Sequence, residues 1–421
     1  MHAPLALSLD FSSLEQGFSM STLIGVGFSD TSDSRAAGLA AARAALENGA
    51  VSKADFALLF STGKHQPTRL YEGVREALGA DCRIFGGYGV GIITRDHLAY
   101  DGFEVGIAVF SSDTLKLDAF IETELANQEA ATGERLGAQI AAANLPADAS
   151  LFLFYDTVNL TSGSLKLNMA TALVAGMSKH LTNWPAMAGM GMLGDMQLHE
   201  TFQWFDGRVL QQSAMALAFS GGVRMDTIIM HGCRPTGRYH TITKTDGAVV
   251  LEIDGKPALQ MIHEMLGPDS GLTPEDYSFF VTLGVNKGDR YGTFREDDYA
   301  NRLCIGVDTT RQGLIMFEND LQPGMQVQLM RRALDFSYIG PRTRELVSRA
   351  AGRKPLFAFY IDCAGRAAAY CGMDEEEAVE VQRALPPGVP LLGVYSGVEL
   401  AKVGGAVQAL DWTGVLCLFS E

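Results

Sequence analysis

Asp362-Cys363-Ala364-Gly365-Arg366 places a carboxyl, a thiol and a guanidinium within five residues. The apolar run 356–360 before it reads as a strand, so the three groups emerge at a strand's carboxyl end, where open α/β sheets collect ligands. An arginine there can clamp a ligand carboxylate through two parallel N–H groups; the plainer reading is a cap on helix or loop carbonyls. The Cys363 thiol becomes a nucleophile only if an imidazole reaches it, and is otherwise a buried thiol. Two further loops follow similar apolar runs, Thr62-Gly63-Lys64-His65 and Asp156-Thr157-Val158-Asn159, and add Asp156. Tyr395 and Ser396 close the glycine-containing run 391–396 of the third such region. His231-Gly232-Cys233-Arg234-Pro235 is the other chemically loaded stretch. On a strand, His231 and Cys233 face the same way, so imidazole and thiol could ligate a metal or haem. One such pair is half of a closed metal site, and a buried, hydrogen-bonded histidine is the plainer reading. The candidate ligand-binding set is therefore Arg366, Cys363, Asp156, Arg234, His231, Cys233, Tyr395 and Ser396. No catalytic set is assigned, and His231 is the one residue a haem reading would use.

Other motifs fail on context. Gly189-Met190-Gly191-Met192-Leu193-Gly194 matches GxGxxG, but the strand-like Gln203-Trp204-Phe205 follows where a dinucleotide loop must open a helix. Thr62-Gly63-Lys64 lacks the earlier glycine of a phosphate loop, because position 58 is Leu. His199-Glu200 and His263-Glu264 lack the second histidine of HExxH.

The elements that must position these groups recur. A strand-like run, a helix, a glycine-containing strand and a closing strand appear at 56–61, 85–91 and 105–111, then at 151–155, 186–191 and 215–220, then at 356–360, 391–396 and 414–420. Leu151 to Ala188 and Leu356 to Gly393 are the same step, which makes Gly86, Ala188 and Gly393 the expected equivalents. Asp30-Thr31-Ser32-Asp33 supplies cap oxygens for a helix from Ser34 to Asn48-Gly49. Leu70, Val74 and Leu78 mark a second helix; Leu136 with Ile140, and Leu165 with Met169 and Leu173, mark two more. The closing strands at 105–111 and 215–220 read as hairpins with 115–121 and 223–229, turned by Ser112-Asp113 and Gly221-Gly222. Past residue 230, Asp246-Gly247 and Asp254-Gly255 announce turns in a strand-rich region. Pro257 and Pro341 suit helix starts, and the acids 374–377 suit the first turn of a helix ending before Pro386-Pro387. The expected fold is α/β, with duplicated β-α-β-β units forming mixed, largely antiparallel sheets flanked by helices, and a β-rich insertion in the C-terminal half. The expected domains are an extension at 1–21, a two-unit domain at 22–225, and a domain at 226–421 holding the β-rich segment and the third unit.

The 421 residues carry 33 basic and 49 acidic side chains, a formal charge of −16 that argues against a nucleic-acid partner. No apolar run is long enough to span a membrane, and the amino terminus lacks the pattern of a secretory signal. A cytoplasmic location follows as an expectation, with the six dispersed cysteines reduced.

The chain resembles the FIST family, proteins with paired FIST N and FIST C domains. The residues carrying the resemblance are Phe56-Ala57-Leu58-Leu59-Phe60-Ser61, the 85–91 stretch, Tyr100-Asp101-Gly102 and Phe205-Asp206-Gly207-Arg208-Val209. With them go His231-Gly232-Cys233-Arg234-Pro235, Asp254-Gly255-Lys256-Pro257-Ala258-Leu259, Leu329-Met330-Arg331-Arg332 and Cys363-Ala364-Gly365-Arg366. The resemblance implies a bacterial sensory module that binds a small ligand, such as an amino acid or other small carboxylate, and signals through a separate partner protein. It also implies an alternative, a haem-binding nitric oxide or redox sensor, for which His231 is the candidate; the Cys363 thiol itself suggests a second, an enzyme using Cys363 as nucleophile.

Overall fold

A computed structural model describes residues 22–161, 163–333 and 335–421; the expected extension at 1–21 lies outside them. The first segment runs β1 (Leu23–Ser29), α1 (Ser34–Asn48), β2 (Phe56–Ser61), α2 (Pro67–Leu78), β3 (Arg83–Tyr88), the hairpin β4 (Gly91–Thr94) and β5 (Leu98–Tyr100), and β6 (Val105–Ser111). The second repeats that order: β7 (Lys116–Glu122), α3 (Glu129–Ala142), β8 (Ser150–Asp156), α4 (Ala170–Met177), β9 (Ala186–Met192), the hairpin β10 (Gln203–Phe205) and β11 (Arg208–Leu210), and β12 (Ala214–Ser220). The third opens with β13 (Arg224–Met230) and is interrupted by β14 (Cys233–Asp246), β15 (Val249–Ile253), α5 (Ala258–Leu266), β16 (Thr282–Asn286), β17 (Tyr299–Asp308), β18 (Gly313–Met316) and β19 (Gln326–Arg332). It resumes with α6 (Ile339–Arg349), β20 (Pro355–Cys363), α7 (Ala378–Ala384), β21 (Leu391–Ser396), the hairpin β22 (Val398–Val403) and β23 (Ala406–Leu410), and β24 (Gly414–Ser420).

Three six-stranded sheets share one order. They run β1-β6-β2-β3-β10-β11, β7-β12-β8-β9-β22-β23 and β13-β24-β20-β21-β4-β5. Each contains one parallel pair, β2 with β3, β8 with β9, or β20 with β21, and is antiparallel elsewhere. Each segment surrenders its hairpin to another sheet: β4–β5 to the third, β10–β11 to the first, β22–β23 to the second. The expected pairing of 105–111 with 115–121 does not form. β6 already has β1 on one side and β2 on the other, so no edge is left for β7, which borders the second sheet. β12 and β13 part for the same reason. The Gly221-Gly222 turn, with both φ angles positive, redirects the chain to the next sheet.

Alternation explains why the central strands are apolar throughout. In β2, Phe56, Leu58 and Phe60 join an inner core shared by all three sheets, while Ala57 and Leu59 face α1 and α2. Inside, Phe60 lies 5.7 Å from Phe154 and 5.5 Å from Phe359 between ring centroids, and Phe152 lies 5.1 Å from Phe359. Outside, α3 with α4 and α6 with α7 cover the other two sheets. Asp33 caps α1 through Ala36 N–H at 2.8 Å. The helix marked by Leu165 begins later, at Ala170, and Leu165 is exposed. The acids 374–377 precede α7 rather than forming its first turn.

Register corrects one equivalence. Each closing strand ends in Phe-Ser, at 110–111, 219–220 and 419–420. Counting back, Leu59 faces Ile107, Leu153 faces Ala216 and Tyr360 faces Leu416. Their parallel partners are Gly86, Gly189 and Gly393. The second equivalent is therefore Gly189, not Ala188.

The β-rich region is a closed barrel, β14-β19-β16-β17-β18-β15, with β15 returning to β14. Leu259, Met261 and Ile262 of α5 enter its core. The loop after β18 ties the barrel to the second segment: Glu318 accepts from Ala170 N–H at 3.1 Å and Thr171 N–H at 3.2 Å, capping α4.

Candidate functional site

β20 delivers Asp362 and Cys363, and a single 3₁₀ turn, Ala364–Arg366, folds Arg366 back into the protein until it is 1% exposed. Its Nε donates to Glu377 Oε1 at 2.9 Å, and Nη2 donates to the same oxygen and to Tyr338 Oη at 3.0 Å. Nη1 donates to the carbonyls of Met230 at 2.8 Å and Trp412 at 3.0 Å. A protein carboxylate, Glu377, thus stands where the sequence reading put a ligand's. Asp362 Oδ1 is 3.3 Å from Arg366 Nε. Burial first, and the Glu377 carboxylate beside it second, hold Asp362 protonated well above the usual carboxylate range.

His231 and Cys233 do not share a strand. Between them Gly232 adopts φ 62°, and a Cβ there would lie 2.5 Å from the Tyr338 ring. The chain turns, and Cys233 N–H donates to His231 Nδ1 at 2.9 Å. The proton therefore sits on Nε2, which donates to Glu296 O at 3.2 Å. Burial lowers the imidazole's pKa, so it stays neutral. Both ring nitrogens are engaged within the protein. The Cys233 thiol donates to His231 O, and burial pushes it up to about 11.

His231, Tyr338, Arg366 and Glu377, with Arg332 and Trp412, border a cavity of about 140 Å³. Sequence reasoning missed Arg332 and Trp412. Arg332 ends β19 directly opposite Cys233 on β14, and its guanidinium lies 3.5 Å from the Trp412 ring centroid. Nη2 donates to Phe279 O at 2.6 Å and Thr282 Oγ1 at 3.2 Å, whereas Nε is buried without a partner. Among the described residues no carboxylate pairs with Arg332. Burial pushes its pKa down to about 10. The usable signal was Arg331-Arg332 at a strand end, but the opposing strand that gives it meaning lies about a hundred residues earlier.

The remaining candidates lie off the cavity. Asp156 closes β8, accepts from Ser213 N–H at 3.1 Å, and is raised to about 7 by burial. Arg234 is exposed and stacks over Phe294 at 5.3 Å. Cys363 is buried, and its thiol is held protonated by that burial, which counts against its use as a nucleophile. Tyr395 donates to Glu376 Oε2 at 2.8 Å, and Ser396 to Glu399 Oε1 at 2.8 Å.

Comparison with known proteins now bears on this arrangement. The FIST N domain model matches residues 55–256, and the FIST C domain model matches residues 258–402. The chain belongs to the FIST family. FIST domains are recognised as sensory domains that bind small ligands. The cavity draws on both matches, His231 from FIST N and Arg332, Arg366 and Glu377 from FIST C. An uncharacterised protein of Mycobacterium bovis is 26% identical over 248 residues, covering 57% of this chain and 62% of that protein. An uncharacterised protein of Methanocaldococcus jannaschii is 26% identical over 175 residues, covering 41% of this chain and 34% of that protein. This FIST chain thus spans under two thirds of the length of these relatives. A crystal structure of cyanuric acid hydrolase from A. caulinodans aligns over 95% of this chain and 99% of that one, at TM-score 0.36 and 11% identity, too distant to carry an argument. Among the described residues, no helix is long and apolar enough to cross a membrane.

Proposed function

We propose that this FIST protein is a sensory module that holds a small carboxylate-bearing ligand, an amino acid or similar acid, against Arg332 and passes the signal to a separate protein. One observation carries the reading: Arg332 is a largely buried guanidinium with no protein carboxylate. The two arginines that are fully buried among the described residues have theirs, Arg302 with Asp320 and Arg366 with Glu377. An uncompensated cation in a low-dielectric site favours an anion there. The neighbouring space of about 140 Å³ suits a molecule of a few heavy atoms, well below the roughly 300–1,000 Å³ of drug-sized sites. Trp412 offers a built-in optical reporter.

Calorimetric titration with acetate, glycine and L-glutamate tests this. At least one should bind wild type. Arg332→Gln should abolish that binding with the melting temperature nearly kept. Arg366→Ala should instead lower the melting temperature, because breaking a buried pair costs about 3–5 kcal/mol. Wild-type affinity in Arg332→Gln, or no binding by any acid of the panel, sinks the proposal.

A further inference from the structure

We infer that a carboxylate bound at Arg332 releases the backbone of Phe279, so that strain stored at Phe279 sets the affinity of the site and the exposed Phe279-Phe280 pair reports its occupancy. This rests on Arg332 being the ligand's anchor. A carboxylate binds a guanidinium best in bidentate fashion, taking two parallel N–H groups. At Arg332 Nε is buried without a partner, and Nη2 belongs to both two-donor edges of the guanidinium, beside Nε on one and beside Nη1 on the other. Both Nη2 hydrogens are in use, toward Phe279 O at 2.6 Å and Thr282 Oγ1 at 3.2 Å. A bidentate ligand on either edge takes one of them and leaves two acceptors for the other.

The two acceptors are not equally able to yield. Thr282 is fully buried and paired within β16. Phe279 is 59% exposed and holds φ at 59°, left-handed backbone that a bulky aromatic residue disfavours. It is pinned there from two sides, by its own N–H to Cys304 O at 2.7 Å and by Arg332 on its carbonyl. Phe280 beside it is 49% exposed. Two adjacent exposed phenylalanines, one in a strained conformation held by the ligand-anchoring arginine, form a latch. Occupancy removes one pin, the strained residue relaxes, and the apolar pair changes its presentation to solvent. The left-handed penalty for a non-glycine residue corresponds to roughly 5- to 30-fold in an equilibrium constant, and here it favours the bound state.

Amide exchange on the whole protein reads the latch directly, free and saturated with acetate or L-glutamate. Saturation should accelerate exchange at Phe279 and Phe280. Phe279→Gly accepts the left-handed backbone without strain, so it should raise the melting temperature and weaken ligand affinity roughly 5- to 30-fold although it touches no ligand. Arg332→Gln supplies an arm that needs no ligand: losing the pin should speed exchange at Phe279 in the free protein. Binding with unchanged or slowed exchange there, or unchanged affinity in Phe279→Gly, overturns the latch and leaves the ligand site standing. Unchanged exchange in free Arg332→Gln also overturns the latch. Absence of any carboxylate binding overturns the ligand reading and the inference with it.

Discussion

Asp156 shows what burial does to one side chain. Its carboxyl is fully enclosed at the end of β8, and desolvation raises it to about 7, against which the Ser213 N–H and the Gln203 and Thr201 side chains work only in part. In the unfolded chain an aspartate titrates near 3.9. The native state therefore holds a proton that the unfolded state releases. The associated stability is complete below about pH 4 and is lost as pH rises to about 7. Asp156→Asn keeps the shape and an acceptor oxygen but cannot ionise. Its melting temperature should exceed that of wild type most at pH 8, with the advantage shrinking toward pH 5 and on the order of 4 kcal/mol at most. Thermal melts by circular dichroism across that range decide it; a difference independent of pH means that Asp156 is not protonated in the native state. The position of Asp156 at a strand end was readable from the sequence. That its carboxylate accepts from Ser213 N–H was not, because Ser213, just ahead of β12, comes 57 residues later.

At the scale of the element, the glycine-containing strands are dictated by their parallel neighbours. A Cβ on Gly189 would stand 2.2 Å from Leu153 O, and on Gly86 1.9 Å from Leu59 O. These strands lie closer to the facing carbonyls than any side chain permits. Gly189→Ala must push β8 and β9 apart and should cost about 1–3 kcal/mol or more, while Gly306→Ala, whose Cβ would meet nothing nearer than 3.5 Å, should cost far less. Urea denaturation measures both, and equal losses would refute the steric account. The sequence displayed small residues recurring after apolar runs but missed the register by one at Ala188, since spacing counts residues and only pairing identifies what each one faces.

For the whole molecule, the exchange of hairpins matters most. The first sheet borrows β10–β11, in which Trp204 is fully buried and donates to Pro67 O at 3.0 Å. The second borrows β22–β23, and the third borrows β4–β5. A chain cut between residues 225 and 226 therefore leaves the second sheet without two strands and strands β4–β5 without a sheet. Neither half should fold cooperatively alone, and coexpression should restore a protease-resistant complex. A sharp melting transition in the isolated 22–225 fragment would show that the borrowed hairpin is dispensable. The cavity depends on the same interlocking, since Trp412 follows β23 just after the chain leaves the second sheet, while Arg332 comes from the barrel.

Local patterning along the chain carries the inventory: α/β character, three similarly ordered stretches and a strand-rich interruption after residue 230. These follow from local rules, namely side-chain periodicity, helix caps and turn residues, which act over a few positions. Packing in three dimensions sets which strands pair and, among the described residues, that the Arg332 guanidinium has no carboxylate beside it. Closing strands that looked like halves of hairpins went to separate sheets because their edges were already taken. Arg366 found Glu377 eleven residues away and was neutralised, whereas Arg332 met a carbonyl, a hydroxyl and an indole. Sequence spacing cannot distinguish the two arginines, because a charge becomes available to a ligand only through what the fold fails to place beside it.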